Sequence, residues 1–344
     1  MPYSVLVIGP AWVGDMVMAQ SLFKTIQRQH PGAVIDVLAP DWSLPLLAHM
    51  PEVRTGISMP VEHGQIGLRE RFRMGRALRG HYDQAFVLPN SWKSALIPWI
   101  ARIPRRTGWI GEQRYGLLND VRRLDKQRFP KMVERFVALA NDPASTLEVL
   151  PPKLVVTAAE VAAWQKRFGL VITEPVLALC PGAAYGPAKQ WPTAAYAALA
   201  KRWVAKGWTL WLMGSDNDQA VCAEIQQQCG EVCIDWSGKL RLAETIACLS
   251  LTTAVVSNDS GLMHVAAALD QPVVAVYGST DPAFAPPLNQ RHRVLYLGLD
   301  CSPCAQRVCP LGHLACLQQI TVEQVNAALV DMLPGHDNRQ SFFD

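Results

Sequence analysis

The sequence predicts an α/β protein built from two doubly wound domains. Short apolar runs bounded by turn residues alternate with amphipathic helical stretches, which implies parallel sheets covered on both faces. That alternation runs twice, with a polar, proline-containing break over residues 142–160. The 344 residues also suffice for two domains, each with its own core.

In chain order, residues 4–9 read as a first strand and 15–29 as an amphipathic helix, followed by strands at 34–38 and 84–88. Between those strands, 70–79 is a polar, arginine-rich helix; 91–101 is a more apolar one. The second series has strands at 175–180, 209–213, 254–257 and 272–277. Its helices fall at 192–205, 219–228, 241–249 and 260–269, and a last helix at 321–333 is capped by Thr321. These spans divide the chain into domains 1–160 and 161–320, with a terminal helix and tail over 321–344. In such folds ligands gather at the carboxyl ends of the strands.

Half the residues are apolar and 18% are charged, as in a globular enzyme rather than a disordered chain. No apolar run approaches the roughly 18–20 residues of a membrane span, and the first residues lack the basic region of a secretory signal. The nine cysteines, odd in number and clustered late, fit a reducing compartment. A cytoplasmic protein is expected, with contact to a membrane surface still open. Residues 1–150 carry 19 Lys/Arg against 13 Asp/Glu, and residues 151–344 carry 13 against 16. A basic first half suits either an anionic partner or a basic solvated face. No nucleic-acid motif is present.

Three loops combine strand ends with polar groups. Gly9-Pro-Ala-Trp-Val-Gly14-Asp15 lacks the middle glycine of a dinucleotide fingerprint and the Lys-Ser/Thr of a phosphate-gripping loop. Asp15 there suits a general base, or else a helix cap. Cys180-Pro-Gly-Ala-Ala-Tyr-Gly-Pro-Ala-Lys189 offers small residues for close approach and one cation, as a diphosphate leaving group requires; a plain turn with a solvated lysine is the alternative. Ser257-Asn-Asp259-Ser260-Gly261-Leu-Met-His264 places polar groups at a helix start, where backbone N–H groups favour an anion.

Two further patterns have bland explanations. Asp216-Asn-Asp218 resembles a metal-holding Asp-x-Asp pair, but acids at a helix start need no metal. Cys301, Cys304, Cys309 and Cys316, with His313 among them, fit no standard metal-ligand spacing; any metal there would staple a loop rather than do chemistry.

Together these loops closely resemble the ADP-heptose:lipopolysaccharide heptosyltransferases over nearly the full length. The resemblance rests on Val7-Ile-Gly-Pro-Ala-Trp-Val-Gly-Asp-Met, Leu88-Pro-Asn-Ser-Trp-Lys-Ser-Ala-Leu, Arg106-Thr-Gly-Trp and Arg114-Tyr-Gly-Leu-Leu-Asn-Asp. It rests also on Pro181-Gly-Ala, Gly186-Pro-Ala-Lys-Gln-Trp-Pro and Asn258-Asp-Ser-Gly-Leu-Met-His-Val-Ala-Ala-Ala-Leu. It implies a GT-B fold of two Rossmann-like domains facing a central cleft, with the acceptor on the first and the ADP-sugar on the second. It further implies a last helix crossing back to the first domain. The implied reaction inverts the anomeric carbon, needs no cofactor or metal, and moves heptose from ADP-L-glycero-D-manno-heptose to the first heptose of the lipopolysaccharide inner core. The implied acceptor is lipid A–Kdo–heptose at the cytoplasmic face of the inner membrane.

Carried over by motif, Asp15 is the base and Lys189 faces the diphosphate. Asp259, Ser260, Gly261 and His264 line the donor, Asp216 meets the ribose, and Ala183 and Ala184 contribute backbone only. Lys93, Arg105, Arg106 and Arg114 are the candidates for the anionic acceptor. The alternatives are another sugar-nucleotide transferase of this fold (the one adding the first heptose included), a nucleotide-dependent oxidoreductase, or a metal-stapled binding module.

Overall fold

The computed structural model describes residues 2–59 and 66–334. Two units make up the chain, Met1–Val155 and Val156–Asp344, and each carries one parallel six-stranded sheet.

In the first unit the strands are β1 (Ser4–Ile8), β2 (Val34–Ala39), β3 (Val53–Ser58), β4 (Gln84–Val87), β5 (Arg105–Trp109) and β6 (Asp120–Arg122). Their order is β3-β2-β1-β4-β5-β6. In the second, β7 (Val176–Cys180), β8 (Thr209–Leu212), β9 (Cys233–Asp235), β10 (Ala254–Asn258), β11 (Val273–Val276) and β12 (His292–Leu295) are ordered β12-β11-β10-β7-β8-β9. Both orders are that of the doubly wound dinucleotide-binding sheet, in which the chain winds outward one way and then the other. The reversal leaves a crevice beside the central pair, β1/β4 in one unit and β7/β10 in the other.

The central strands are apolar on both faces because helices cover both. All five residues of β7 and of β10 are buried, as are all four of β11. Helix Thr193–Val204 packs Tyr196, Leu199, Ala200 and Trp203 inward, a spacing that keeps one face toward the sheet. On this sheet Trp211 of β8 lies 5.6 Å, ring centre to ring centre, from Trp164, which lies 5.6 Å from Trp236.

Trp164 belongs to helix Ala158–Phe168, opened by a Thr157/Glu160 capping box. Since its aromatic anchor packs on β8, this helix belongs entirely to the second unit, and the boundary falls after Val155 rather than after residue 160. Helix Val322–Met332 starts with Thr321, whose hydroxyl accepts from Gln324 N at 3.2 Å. Its buried face, Val325 and Leu329 with Leu333 after it, joins the core of the second unit. Residues 335–344 of the expected tail lie outside the described residues.

Candidate active site

The crevice of the second sheet holds most of the predicted donor residues. Loop 181–190 leaves β7 and is clamped by one buried amide at the end of β10: Asn258 Nδ2 donates to Pro181 O at 2.6 Å. Asn258 Oδ1 accepts from Trp191 N and from the Tyr196 hydroxyl, each at 3.0 Å. Both ends of the loop are thereby fixed to the neighbouring strand. Gly182 is required inside it, because a Cβ there would stand 2.3 Å from the Asp218 carboxyl carbon.

Lys189 lies at the far end of this loop. Its ammonium donates to Asp259 Oδ2 at 2.5 Å, and the Thr280 hydroxyl donates to the same oxygen at 2.7 Å. The side chains of Lys189 and Asp259 are only 15% and 9% exposed, so this ion pair is largely shielded from water. Ser260 follows in extended conformation as the residue before helix Gly261–Ala268, yet its hydroxyl does not cap that helix. It lies 3.1 Å from the Ser257 hydroxyl instead, which leaves the first backbone N–H groups of the helix for another acceptor.

His264 sits one turn in and is buried. Burial pushes its pKa down to about 4, against the opposing pull of Asp259 and with a smaller push from Lys189, so the ring is neutral near pH 7. Ala183 contributes its backbone, with its carbonyl accepting from Gly186 N at 3.1 Å. Ala184 is exposed. Asp218, not Asp216, closes the turn after β8 by accepting from Ser215 N at 2.8 Å and from its hydroxyl at 2.7 Å. That leaves Asp216 exposed at the sheet edge. Asn258 and Thr280 had no place among the predicted site residues, although Asn258 directly precedes the Asp-Ser-Gly motif.

In the first unit, Asp15 is the third residue of helix Val13–Gln29, whose N-cap is Trp12 without a side-chain cap. Asp15 is therefore not the capping residue. Its half-exposed carboxylate sits in the first turn, where the helix end is partially positive. Lys93 lies in the turn Trp92–Ala95 after β4. Because β1 and β4 pair, with Ile8 opposite Val87, Asp15 and Lys93 follow adjacent strands at the carboxyl edge.

The three arginines do not share that placement. Arg114 is 1% exposed and donates to the carbonyls of Pro89, at 2.6 Å, and Trp109. Burial lowers its pKa to about 10, more than Glu112 restores, so it pins the surrounding loops instead of meeting a ligand at the surface. Arg105 starts β5, opposite Gln84, at the amino edge of the sheet, and pairs with Asp120 at 2.9 Å. Arg106 beside it donates to Leu117 O at 2.8 Å and Ile103 O at 2.6 Å. Both stand at the end of the sheet opposite Asp15.

Cys301, Cys304, Cys309 and Cys316 line one cavity of about 20 Å³ that also touches Ala188 and Ser279, directly behind the Lys189 loop. Among the described residues no group of three or more His, Cys, Asp or Glu side chains is arranged to hold a metal ion. Backbone N–H groups, that of Leu314 foremost, hold the Cys309 thiol below its ordinary pKa range.

Comparison with known proteins places this geometry. Residues 71–315 match Glycosyltransferase family 9 (heptosyltransferase). The chain is 45% identical to lipopolysaccharide heptosyltransferase 2 of Escherichia coli (strain K12), covering 95% of this chain and 98% of that one. With lipopolysaccharide heptosyltransferase 2 of Salmonella typhimurium the identity is 48%, over 85% and 88%. The solved structure of E. coli ADP-heptose lps heptosyltransferase II superposes with a TM-score of 0.86 at 43% identity, covering 96% of this chain and 98% of that one.

Proposed function

Because the chain belongs to glycosyltransferase family 9, the heptosyltransferases, we propose that it transfers heptose from ADP-L-glycero-D-manno-heptose to the first heptose of the lipopolysaccharide inner core. The observation that carries this reading is the crevice beside β7 and β10. Its loop is clamped by Asn258, its cation Lys189 is oriented by Asp259 and Thr280, and an uncapped helix start opens beside it. Such a cradle suits a diphosphate whose charge grows as its bond to the sugar breaks. The GT-B fold of two Rossmann-like units accommodates the donor half on this second sheet.

In this reading the Asp15 carboxylate takes the proton of the acceptor hydroxyl. The hydroxyl oxygen bonds to the anomeric carbon, and the bond from that carbon to the ADP oxygen breaks with inversion. Lys189 and the amides at Gly261 stabilise the departing diphosphate, the neutral His264 ring borders the donor sugar, and Asp216 meets the ribose. The anionic acceptor, lipid A–Kdo–heptose, approaches the first unit near Lys93. Transfer needs no metal or other cofactor. The protein works in the cytoplasm at the inner face of the inner membrane; no helix among the described residues is long and apolar enough to cross a membrane.

The test is product analysis with ADP-heptose and an acceptor that already bears one heptose, in the presence and absence of EDTA. One added heptose at equal rates in both is expected. Transfer only to an acceptor bearing no heptose, or loss of turnover with EDTA, would refute the reading.

A further inference from the structure

The cradle around Lys189 has a charge deficit. The Lys189 ammonium is matched by Asp259 at 2.5 Å, and His264 beside it is neutral, so this part of the crevice carries little net positive charge. A nucleoside diphosphate brings at least two negative charges. The helix amides at Gly261 offset part of that charge, and the loop carrying the cysteines offers a second cation for the rest.

Residues 305–307 are stitched along their backbone to the Lys189 loop and to Ser279 after β11. The Tyr185 hydroxyl donates to Ala305 O at 2.6 Å, Ala188 N donates to Arg307 O at 3.1 Å, and Ala305 N donates to Ser279 O at 2.7 Å. The approach is close enough that a Cβ at position 186 would stand 2.5 Å from the Arg307 carbonyl oxygen, so glycine is needed there. The stitching fixes where the Arg307 side chain starts. Its guanidinium carbon lies 5.3 Å from the centre of the Tyr185 ring, and Lys189 Nζ lies 5.0 Å from the same centre. Arg307 is exposed, and no carboxylate among the described residues pairs with it. An exposed arginine with no acid partner among the described residues, held against the same aromatic ring that Lys189 contacts, is available to an anion.

We propose that Arg307, presented over Tyr185 by the loop 301–309, is a second diphosphate-binding residue of the donor site, acting beside Lys189. This rests on the donor reading above. Arginine suits the place because its planar fork presents two parallel N–H donors to a phosphate, a fixed geometry that a lysine's point charge lacks.

Calorimetric titration of the full chain with ADP and with adenosine tests it, using Arg307→Ala and Arg307→Lys. Loss of charge-assisted bonds should weaken ADP binding by Arg307→Ala about 10- to 100-fold, with Arg307→Lys recovering part of the loss. Adenosine, lacking phosphate, should bind all three proteins alike, and melting temperatures should agree. Unchanged ADP affinity in Arg307→Ala would overturn the assignment while leaving the donor site intact. An equal loss for adenosine would overturn it too, since it would mean that the loop had collapsed. Wild-type protein that fails to bind ADP would instead bring down the donor reading and this inference with it.

Discussion

Lys189 and Asp259 form a shielded pair in which each charge depends on the other. Removing only the lysine strands a carboxylate, at a cost of about 3–5 kcal/mol for a buried pair broken on one side. Lys189→Ala should therefore melt well below the wild type and bind ADP more weakly. Lys189→Met combined with Asp259→Asn should regain much of the melting temperature but not the ADP affinity. Recovery of both would remove Lys189 from the donor site. Protonation of His264 adds a pH dependence. Its folded pKa is lowered to about 4, so between about pH 6.5 and 4 the unfolded chain binds a proton that the folded chain refuses. From this group, stability falls as pH drops through that window, by about 1.4 kcal/mol per unit. Denaturant midpoints for His264→Gln should lose that part of the slope, and an unaltered slope would contradict the assignment. At this scale the sequence discloses residue types at strand ends, which is why Lys189, Asp259 and His264 were legible. It does not disclose partners. Arg105, Arg106 and Arg114 count as free positive charge in a sequence, whereas in the fold Asp120 or backbone carbonyls occupy them.

Among the elements, the central strands were readable because burial on both faces makes them continuous apolar runs. The outer strands were not. β3, β6, β9 and β12 are short or half-exposed, and β5 begins with two arginines, so their composition resembles that of loops. The same difference sets what substitutions cost. Trp211 of β8 is 1% exposed and packs at a tilt against Trp164, so Trp211→Ala should lose about 3–5 kcal/mol in chemical denaturation. Ile234 of β9 is 38% exposed, so Ile234→Ala should cost about 1 kcal/mol or less. Equal losses would contradict the assignment of edge and centre. Arg114→Ala belongs here as well, because it unpins the loops at Pro89 and Trp109. It should lower the melting temperature while leaving the KM for acceptor near the wild-type value; the reverse pattern would return Arg114 to the acceptor site.

The whole molecule repeats one plan, each unit reversing direction beside its central strand pair and gathering polar groups at that point. The paired αβ series made this architecture legible, and the polar seam placed the boundary within a few residues. What the seam hid was that helix Ala158–Phe168 anchors through Trp164 in the second core. In the proposed reading the division of labour follows from charge and chemistry: a basic first half with Asp15 in the first helical turn after β1, and a second half with an oriented cation and a helix start without a side-chain cap. The most direct test is the rate of heptose transfer from ADP-heptose to a mono-heptosylated acceptor by Asp15→Asn, with melting temperature and ADP affinity as controls. Loss of the base should slow turnover about 100- to 10,000-fold with both controls unchanged. Turnover equal to that of the wild type would contradict the account.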